Sequence, residues 1–207
     1  MIEMRRLTPA TSAIDWDRTA AWTEGLLGDG LDEIVRVFIA QGAGAPFVVW
    51  NPRPEQLRSE PARHVLAHWS SLADGARLPG YRQVDPADLR PALGYVLLLD
   101  VLEDGWDFRY RLFGSTISSV SGFDLTGKLL SEHPASAYVA EFSIAVGRAA
   151  TRRRQPIYSL RHPVGAQDTS LWERLVLPLA DENGHVVRLM VVATPLDRDG
   201  KPIRAVF

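Results

Sequence analysis

Charged side chains stand inside two of the most apolar stretches of the sequence. Arg111 interrupts the alternating segment 107–113, and Glu173 and Arg174 lie in the middle of LWERLVL. A charge that becomes buried on folding costs several kcal/mol unless it is paired. Two chemistries follow: Arg111, Glu173 and Arg188 pair across a sheet, or one of them binds the polar end of a ligand. The structural pair is favoured, and Arg111 is the best ligand contact in the alternative.

The histidines are candidate metal ligands. His64 and His68 are four residues apart on a predicted helix, a spacing that can bind zinc. They form HVLAH, which lacks the glutamate of H-E-x-x-H, and the chain has no cysteine to complete a site. A solvated helix face is therefore favoured, and no metal site is predicted. His133, beside Pro134, is interpreted as an exposed loop residue, and His162 lies in a predicted strand.

Four arginines gather at the end of one predicted helix. They are Arg148, Arg152, Arg153 and Arg154. No aromatic residue interleaves them for base stacking, and the chain has a net charge of −2. Cations near the negative end of a helix dipole are stabilising, so the cluster is interpreted as a helix C-terminal cap. No nucleic-acid partner is predicted.

Catalytic motifs are missing from the sequence. It contains no G-x-S-x-G elbow, no phosphate-binding P-loop and no G-x-G-x-x-G after a strand. The acids Asp100, Glu103, Asp104 and Asp107 gather at a predicted hairpin turn, where solvated carboxylates are common. We predict a non-enzymatic protein with no catalytic residue. The alternative is a small isomerase or dehydratase with a buried acid or histidine, Asp100 or His162, at the floor of a cavity.

The composition is that of a globular protein. The 207 residues are 46% hydrophobic and 23% charged, enough to bury a sizeable core. The absence of cysteine excludes disulfides and thiol chemistry and fits the cytoplasm. The first 18 residues show no apolar core of a secretory signal, and the longest uncharged run, 37–52, is too short to span a bilayer. A cytoplasmic protein without a membrane partner is expected.

Two helices are predicted before the first long strand. The first carries an apolar stripe at i, i+3, i+4, i+7 and i+8, and the second begins at Ser59 and ends at Gly75. The glycines of EGLLGDG, Gly25, Gly28 and Gly30, are assigned to a loop. A proline-rich connector over 78–94 follows. The two stripes are Leu31, Ile34, Val35, Phe38 and Ile39, and Ala62, Val65, Leu66, Trp69 and Leu72.

Five strands are predicted in the second half of the chain. Asp-Gly and Asn-Gly pairs, at 104–105 and 183–184, indicate tight hairpins. The first and last strands are apolar at nearly every position, whereas a sheet with one wet face should alternate. Both faces are therefore expected to be covered, by the N-terminal helices or by a second subunit. The predicted strands are 95–102, 107–113, 157–164, 171–179 and 186–196.

The stretch 107–130, DFRYRLFGSTISSVSGFDLTGKLL, runs from a strand directly into short helical turns punctuated by glycines. This RYRLFG…DLTG pattern and the order of elements resemble a PAS domain, and specifically small stand-alone bacterial PAS proteins. The resemblance implies an α+β fold: a PAS-like five-stranded antiparallel sheet with flanking helices, preceded by an N-terminal helical extension. We place the extension at 1–77, the PAS-like domain at 78–196 and a C-terminal tail at 197–207.

The resemblance also implies a sensory or regulatory role. PAS domains commonly bind a small molecule or a protein partner and signal through protein contact, so an unknown ligand or partner and a homodimer are expected. Some PAS proteins bind haem through a histidine placed like His133, but the cofactor is left unknown. A purely structural interaction module with a filled core is a further alternative. The predicted ligand contacts are Tyr110, Arg111, Ile117, Phe142, Trp172 and Met190.

Overall fold

The computed structural model describes residues 14–28, 30–75, 77–102, 105–134, 136–164 and 169–204. The acidic turn residues Glu103 and Asp104 and residues 1–13 lie outside the described residues. The helices are α1 (Trp16–Leu27), α2 (Asp32–Ala40), α3 (Glu60–Leu72), α4 (Ser115–Ser121) and α5 (Ala137–Arg153). The strands are β1 (Phe47–Trp50), β2 (Val96–Leu102), β3 (Asp107–Phe113), β4 (Ile157–Arg161), β5 (Leu171–Ala180) and β6 (Val186–Leu196).

One antiparallel sheet has the strand order β1-β4-β5-β6-β2-β3. The five predicted strands and their antiparallel pairing are confirmed. The sixth strand, β1, comes from the N-terminal extension and pairs with β4, from Phe47 opposite Leu160 to Trp50 opposite Ile157. The prolines Pro46 and Pro52 stand close to its two ends.

A bulge in the β2–β3 hairpin decides which side chains of β3 face which way. Leu98 pairs with Leu112 and Leu99 pairs with Tyr110, so Arg111 is the extra residue. The alternation therefore breaks at this point. Tyr110 is buried, whereas Arg111 and Leu112 are both exposed.

Both faces of the sheet are covered, as predicted. We call the side facing α4 and α5 the inner face and the side covered by α3 the outer face. On the outer face, Val65 and Trp69 of α3 belong to one cluster with Leu177 and Met190 of the sheet. The indole of Trp69 also donates to the carbonyl oxygen of Pro178 at 2.9 Å. Apolar burial of this kind is worth roughly 1.5–3 kcal/mol for each large side chain.

The other predicted helix, α2, packs on the inner side, against α5. Phe38 meets Tyr138 and Phe142 of α5 edge-on, with ring centroids 5.0 and 5.2 Å apart. Only α3 of the two predicted helices therefore covers the outer face. None of the described helices is long and apolar enough to cross a membrane.

The prediction of a loop at EGLLGDG was wrong for its first half, because α1 continues to Leu27, whereas Gly28 and Gly30 lie beyond the helix. Asp15 caps this helix by accepting from the backbone N–H of Arg18 at 2.9 Å. Gly25 lies inside the helix, and a Cβ there would come within 2.4 Å of the Gly30 carbonyl oxygen. The glycine therefore permits a close return of the chain rather than a loop. The proposed limits 1–77, 78–196 and 197–207 stay a prediction, with β1 and α3 packed onto the sheet.

Candidate ligand-binding site

A cavity of about 370 Å³ lies between the inner face of the sheet and helices α4 and α5. This volume falls within the range of small-molecule sites. Gly114 helps to shape it, since the chain turns there from β3 into α4 so closely that a Cβ would meet the Gly94 carbonyl oxygen at 2.4 Å. The tight turn places α4 and its Ile117 over the sheet. Much of the wall is apolar: Leu97, Phe113, Ile117, Phe123, Trp172 and Ala193.

Two arginines stand at the sheet side of the cavity. β4 and β5 pair so that Arg161 is opposite Trp172 and Arg174 is opposite Ser159, which puts both arginines on the inner face as diagonal neighbours. Arg174 donates to the hydroxyl of Ser143 on α5. The guanidinium of Arg161 lies 5.7 Å from the centroid of the Trp172 ring, and its buried Nε has no hydrogen-bond partner among the described residues.

The cavity has a positive electrostatic character. None of the described residues that line it is an aspartate or a glutamate. Burial, followed by the nearby charge of Arg174, lowers the pKa of Arg161 to about 10. Burial also lowers the pKa of Arg174. Guanidinium groups remain protonated in proteins at neutral pH, so both positive charges face this space without a described carboxylate.

His133 belongs to this cavity, and the prediction of an exposed loop residue was wrong. It is half-buried, lines the cavity and packs edge-on against Phe123 with ring centroids 5.2 Å apart. Burial, followed by the charges of Arg174 and Arg161, lowers the pKa of His133 to about 3. The imidazole is thus neutral at physiological pH.

Two tyrosines add hydroxyl groups to the wall. Tyr110 comes from β3 and Tyr138 from the first turn of α5. Burial raises the pKa of Tyr110 to about 12, and it also raises the pKa of Tyr138. Both hydroxyls keep their protons at neutral pH and can donate hydrogen bonds to a ligand.

Three of the six predicted ligand contacts line the cavity: Tyr110, Ile117 and Trp172. Phe142 lies in the core and packs against Phe38. Met190 faces α3 across the outer face, because inward and outward positions alternate along β6. The role of any of these side chains in binding stays a prediction.

Arg111, the sixth predicted contact, points away from the cavity because it follows the inward-facing Tyr110 in β3. Its guanidinium lies 3.5 Å from a carboxylate oxygen of Asp100. Nε of Arg188 donates to the same carboxylate at 2.8 Å. The predicted partner of these arginines, Glu173, was wrong, since Asp100 takes that place.

Glu173 is fully buried on the outer face and binds the backbone just before the start of α3. Its oxygens accept from the backbone N–H groups of Arg58 and Ser59, at 2.6 and 3.1 Å, and from the hydroxyl of Tyr158 at 2.9 Å. The hydroxyl of Ser59 caps α3 by accepting from the backbone N–H of Ala62 at 3.2 Å. Glu173 thus fixes the start of the helix that covers this face.

The other candidate residues lie elsewhere. His162 is exposed beyond the end of β4, and Asp100 is on the outer face, so neither of the proposed catalytic groups lines the cavity. His64 lies 2.6 Å from the carbonyl oxygen of Asp88. No group of three or more potential metal-ligating residues was found within the described ranges.

The four clustered arginines contact four different partners. Arg148 is buried, donates to the carbonyl oxygen of Trp106 at 2.6 Å and lies 4.3 Å from the centroid of that ring. Arg152 pairs with Glu24, Arg153 lies over Trp50, and Arg154 donates to the carbonyl oxygen of Gly184. The arginines therefore tie α5 to its neighbours.

Sequence reasoning overlooked Arg161 and gave Arg174 no role in the cavity. The signal that could have found them is the spacing of basic residues on consecutive strands. The β4–β5 register places Arg161, Trp172 and Arg174 on one face of the sheet. The residues paired with the two arginines, Trp172 and Ser159, are not acids. The register itself was not predictable from either strand alone.

The match to a protein-family model agrees with this architecture. A family model described as PAS domain matches residues 57–193, more than half of the chain. A solved structure of an RNA-binding light-oxygen-voltage receptor is similar at 11% identity and a TM-score of 0.43, over 87% of this chain. This chain spans about half of that protein, 52%. No curated protein gives a significant match. The chain belongs to the PAS-domain family.

Proposed function

We propose that this PAS protein is a non-enzymatic sensor that binds a small molecule in the inner-face cavity and signals through protein contact. The observation that supports it best is the cavity itself, about 370 Å³ of space on the inner face of the PAS sheet. Protein interiors are otherwise close-packed, with few voids larger than a water molecule. A purely structural module would gain stability by filling this space.

Helix α5 connects the cavity to the N-terminal helices. Ser143 accepts from Arg174 at the cavity. Half a turn away, the buried carboxylate of Glu141 accepts twice from Arg18 of α1, both at 2.8 Å, and from the backbone N–H of Asp15 at 2.9 Å. A ligand that draws Arg174 away from Ser143 would thus act on the helix that holds α1. We propose that α1 and α2 carry the signal to a protein partner.

The rival functions are less well supported. An enzyme of the isomerase type needs a general base in the cavity, and the described titratable base there, His133, has its pKa lowered to about 3 by burial and by Arg174 and Arg161. So low a pKa makes a weak base at neutral pH. A homodimer and a cytoplasmic location remain parts of the proposal, supported only by the sequence.

Native mass spectrometry of protein purified from its own host tests the proposal. The wild type is expected to retain a small molecule, and Ala193→Phe, which places a ring into the cavity, is expected to lose it. Leu112→Phe makes a similar change on the exposed side of β3 and is the matched control. A wild type with nothing bound, together with an Ala193→Phe variant that is strongly destabilised, would indicate a filled core instead.

A further inference from the structure

We infer that the ligand of this cavity is a small organic carboxylate with an apolar ring or chain, its charge held by Arg161 and Arg174. The inference rests on the proposed function and adds the chemical class of the ligand. It starts from an imbalance of charge in the cavity, where two arginines face no described carboxylate.

Five arginines elsewhere in the described structure each contact a carboxylate, whereas neither cavity arginine does so among the described residues. A buried cation without an anion is costly, so the cavity favours an anionic occupant. The buried, unpartnered Nε of Arg161 adds a donor without an acceptor. The five paired arginines are Arg18, Arg82, Arg111, Arg152 and Arg188.

The donors suit a carboxylate. Each guanidinium presents a planar fork of N–H groups that matches the two oxygens of a carboxylate. Arg161 and Arg174 are diagonal neighbours on adjacent strands, so both can reach one anionic group. The protonated hydroxyl of Tyr110 is a further donor in the same cavity. His133 is neutral and adds no third charge.

The apolar wall selects the rest of the ligand. Phe113, Ile117, Phe123 and Trp172 line the space beyond the arginines. Such side chains gain free energy by covering an apolar body and give nothing to a second phosphate. A bare inorganic anion would leave this wall unmatched. An amphipathic monoanion uses both parts of the cavity.

Isothermal titration of the full chain with matched probe pairs tests the inference. The probes are benzoate, phenylacetate and octanoate, each compared with its neutral amide and with inorganic phosphate, in sodium chloride at constant ionic strength. We expect at least one carboxylate to bind at least about tenfold more tightly than its amide, the effect of one charge-assisted pair. This comparison uses only the wild type and does not depend on any variant folding.

Variants locate the charge. Arg161→Gln and Arg174→Gln should each weaken carboxylate binding about tenfold or more and leave the amide unaffected. Arg188→Gln, on the outer face, should leave both unchanged. The sequence also has an acid, Asp168, just before the cavity residue Thr169, and Asp168→Asn should not increase carboxylate affinity.

Several results would overturn the inference in distinguishable ways. Amides that bind as tightly as carboxylates would show a neutral ligand and leave the proposed function intact. Phosphate that binds as tightly as the carboxylates would remove the apolar body from the ligand. Tighter carboxylate binding in Asp168→Asn would show that the chain supplies its own anion. If no carboxylate and no amide binds, while protein from its own host carries no small molecule, the proposed function fails too.

Discussion

Glu173 and Arg174 are neighbours in β5, yet their side chains have opposite environments. Glu173 faces outwards, is fully buried and accepts from three donors, two backbone N–H groups and the Tyr158 hydroxyl. Arg174 faces inwards, is half-buried and has one described hydrogen bond, to the Ser143 hydroxyl. The charged group on the outer face thus has its partners within the chain, whereas the one on the inner face has no described carboxylate partner.

The contrast extends across the sheet. On the outer face Asp100 is shared by Arg111 and Arg188, so that charges of both signs meet. On the inner face Arg161 and Arg174 share a space with no described acid. Charges whose partners lie within the chain serve stability, whereas charges without such a partner reduce it and are candidates for ligand contacts.

The largest expected effect separates the two neighbours in β5. Glu173→Gln places an NH₂ group among donors and removes the charge they bind, so we expect a loss of about 3 kcal/mol in the free energy of unfolding. Arg174→Gln, the matched control, should change it by less than about 1 kcal/mol, because it removes a half-buried charge without a carboxylate partner together with one hydrogen bond. Urea denaturation measures both, and equal losses would contradict the comparison.

We expect low pH to reduce the stability of the protein through His133 on the inner face. Its pKa is lowered from 6.5 to about 3, by burial and then by the charges of Arg174 and Arg161, so the unfolded chain binds the proton more readily. The stability this residue supports is complete above pH 6.5 and is lost as the pH falls towards 3. Between pH 7 and 4.5 we expect a loss of about 2 kcal/mol that His133→Gln lacks.

Parallel urea titrations of the wild type and of His133→Gln at the two pH values make this measurement. Losses common to both proteins belong to other groups and cancel in the difference. Identical pH profiles would place the imidazole in contact with solvent and separate it from the two arginines.

On the inner face, added volume should cost more stability in the close-packed part than beside the cavity. At Gly147 of α5 a Cβ would meet the fully buried ring of Phe108 at 2.8 Å, so Gly147→Ala should cost about 1–2 kcal/mol. Ala193 borders the cavity, and Ala193→Val, which adds more volume, should cost less than about 0.5 kcal/mol. Thermal denaturation of the two variants compares them, and a larger loss for Ala193→Val would argue for a filled cavity.

The smallest expected effect concerns the outer ion pairs. Asp100 and Arg188 are partly exposed, so solvent screens them, and Asp100→Asn should cost no more than about 1 kcal/mol. Arg111→Gln should cost even less because its side chain is more than half exposed. Ligand affinity should not change in either variant. A change would mean that the two faces are coupled.

The sequence predicted the elements that local signals specify. Turn pairs such as Asn183-Gly184 marked hairpins, and the nearly continuous apolar character of β2 and β6 correctly predicted a sheet covered on both sides. The helix α1 was missed because Gly25 was assigned to a loop, whereas it lies in the helix and permits a close approach to Gly30.

The site was harder to predict because its residues depend on direction rather than on element type. A strand that is apolar on both sides gives no sign of which positions face inwards. The sequence therefore could not show that Met190 faces outwards and that Ala193 faces the cavity. The bulge at Arg111 then shifted the alternation by one residue. His133 gained its environment from Phe123 and from the arginines of distant strands, which no local pattern encodes.

Strand β1 has a consequence for how copies of this protein meet. An open β4 edge would offer a row of unpaired backbone groups on which another chain could grow a continuous sheet, the route to fibrils. The four residues of β1 occupy that row instead, and the nearby Pro46 and Pro52 have no N–H to extend the ladder. At this border, therefore, a short strand flanked by prolines disfavours the addition of a further chain to the sheet.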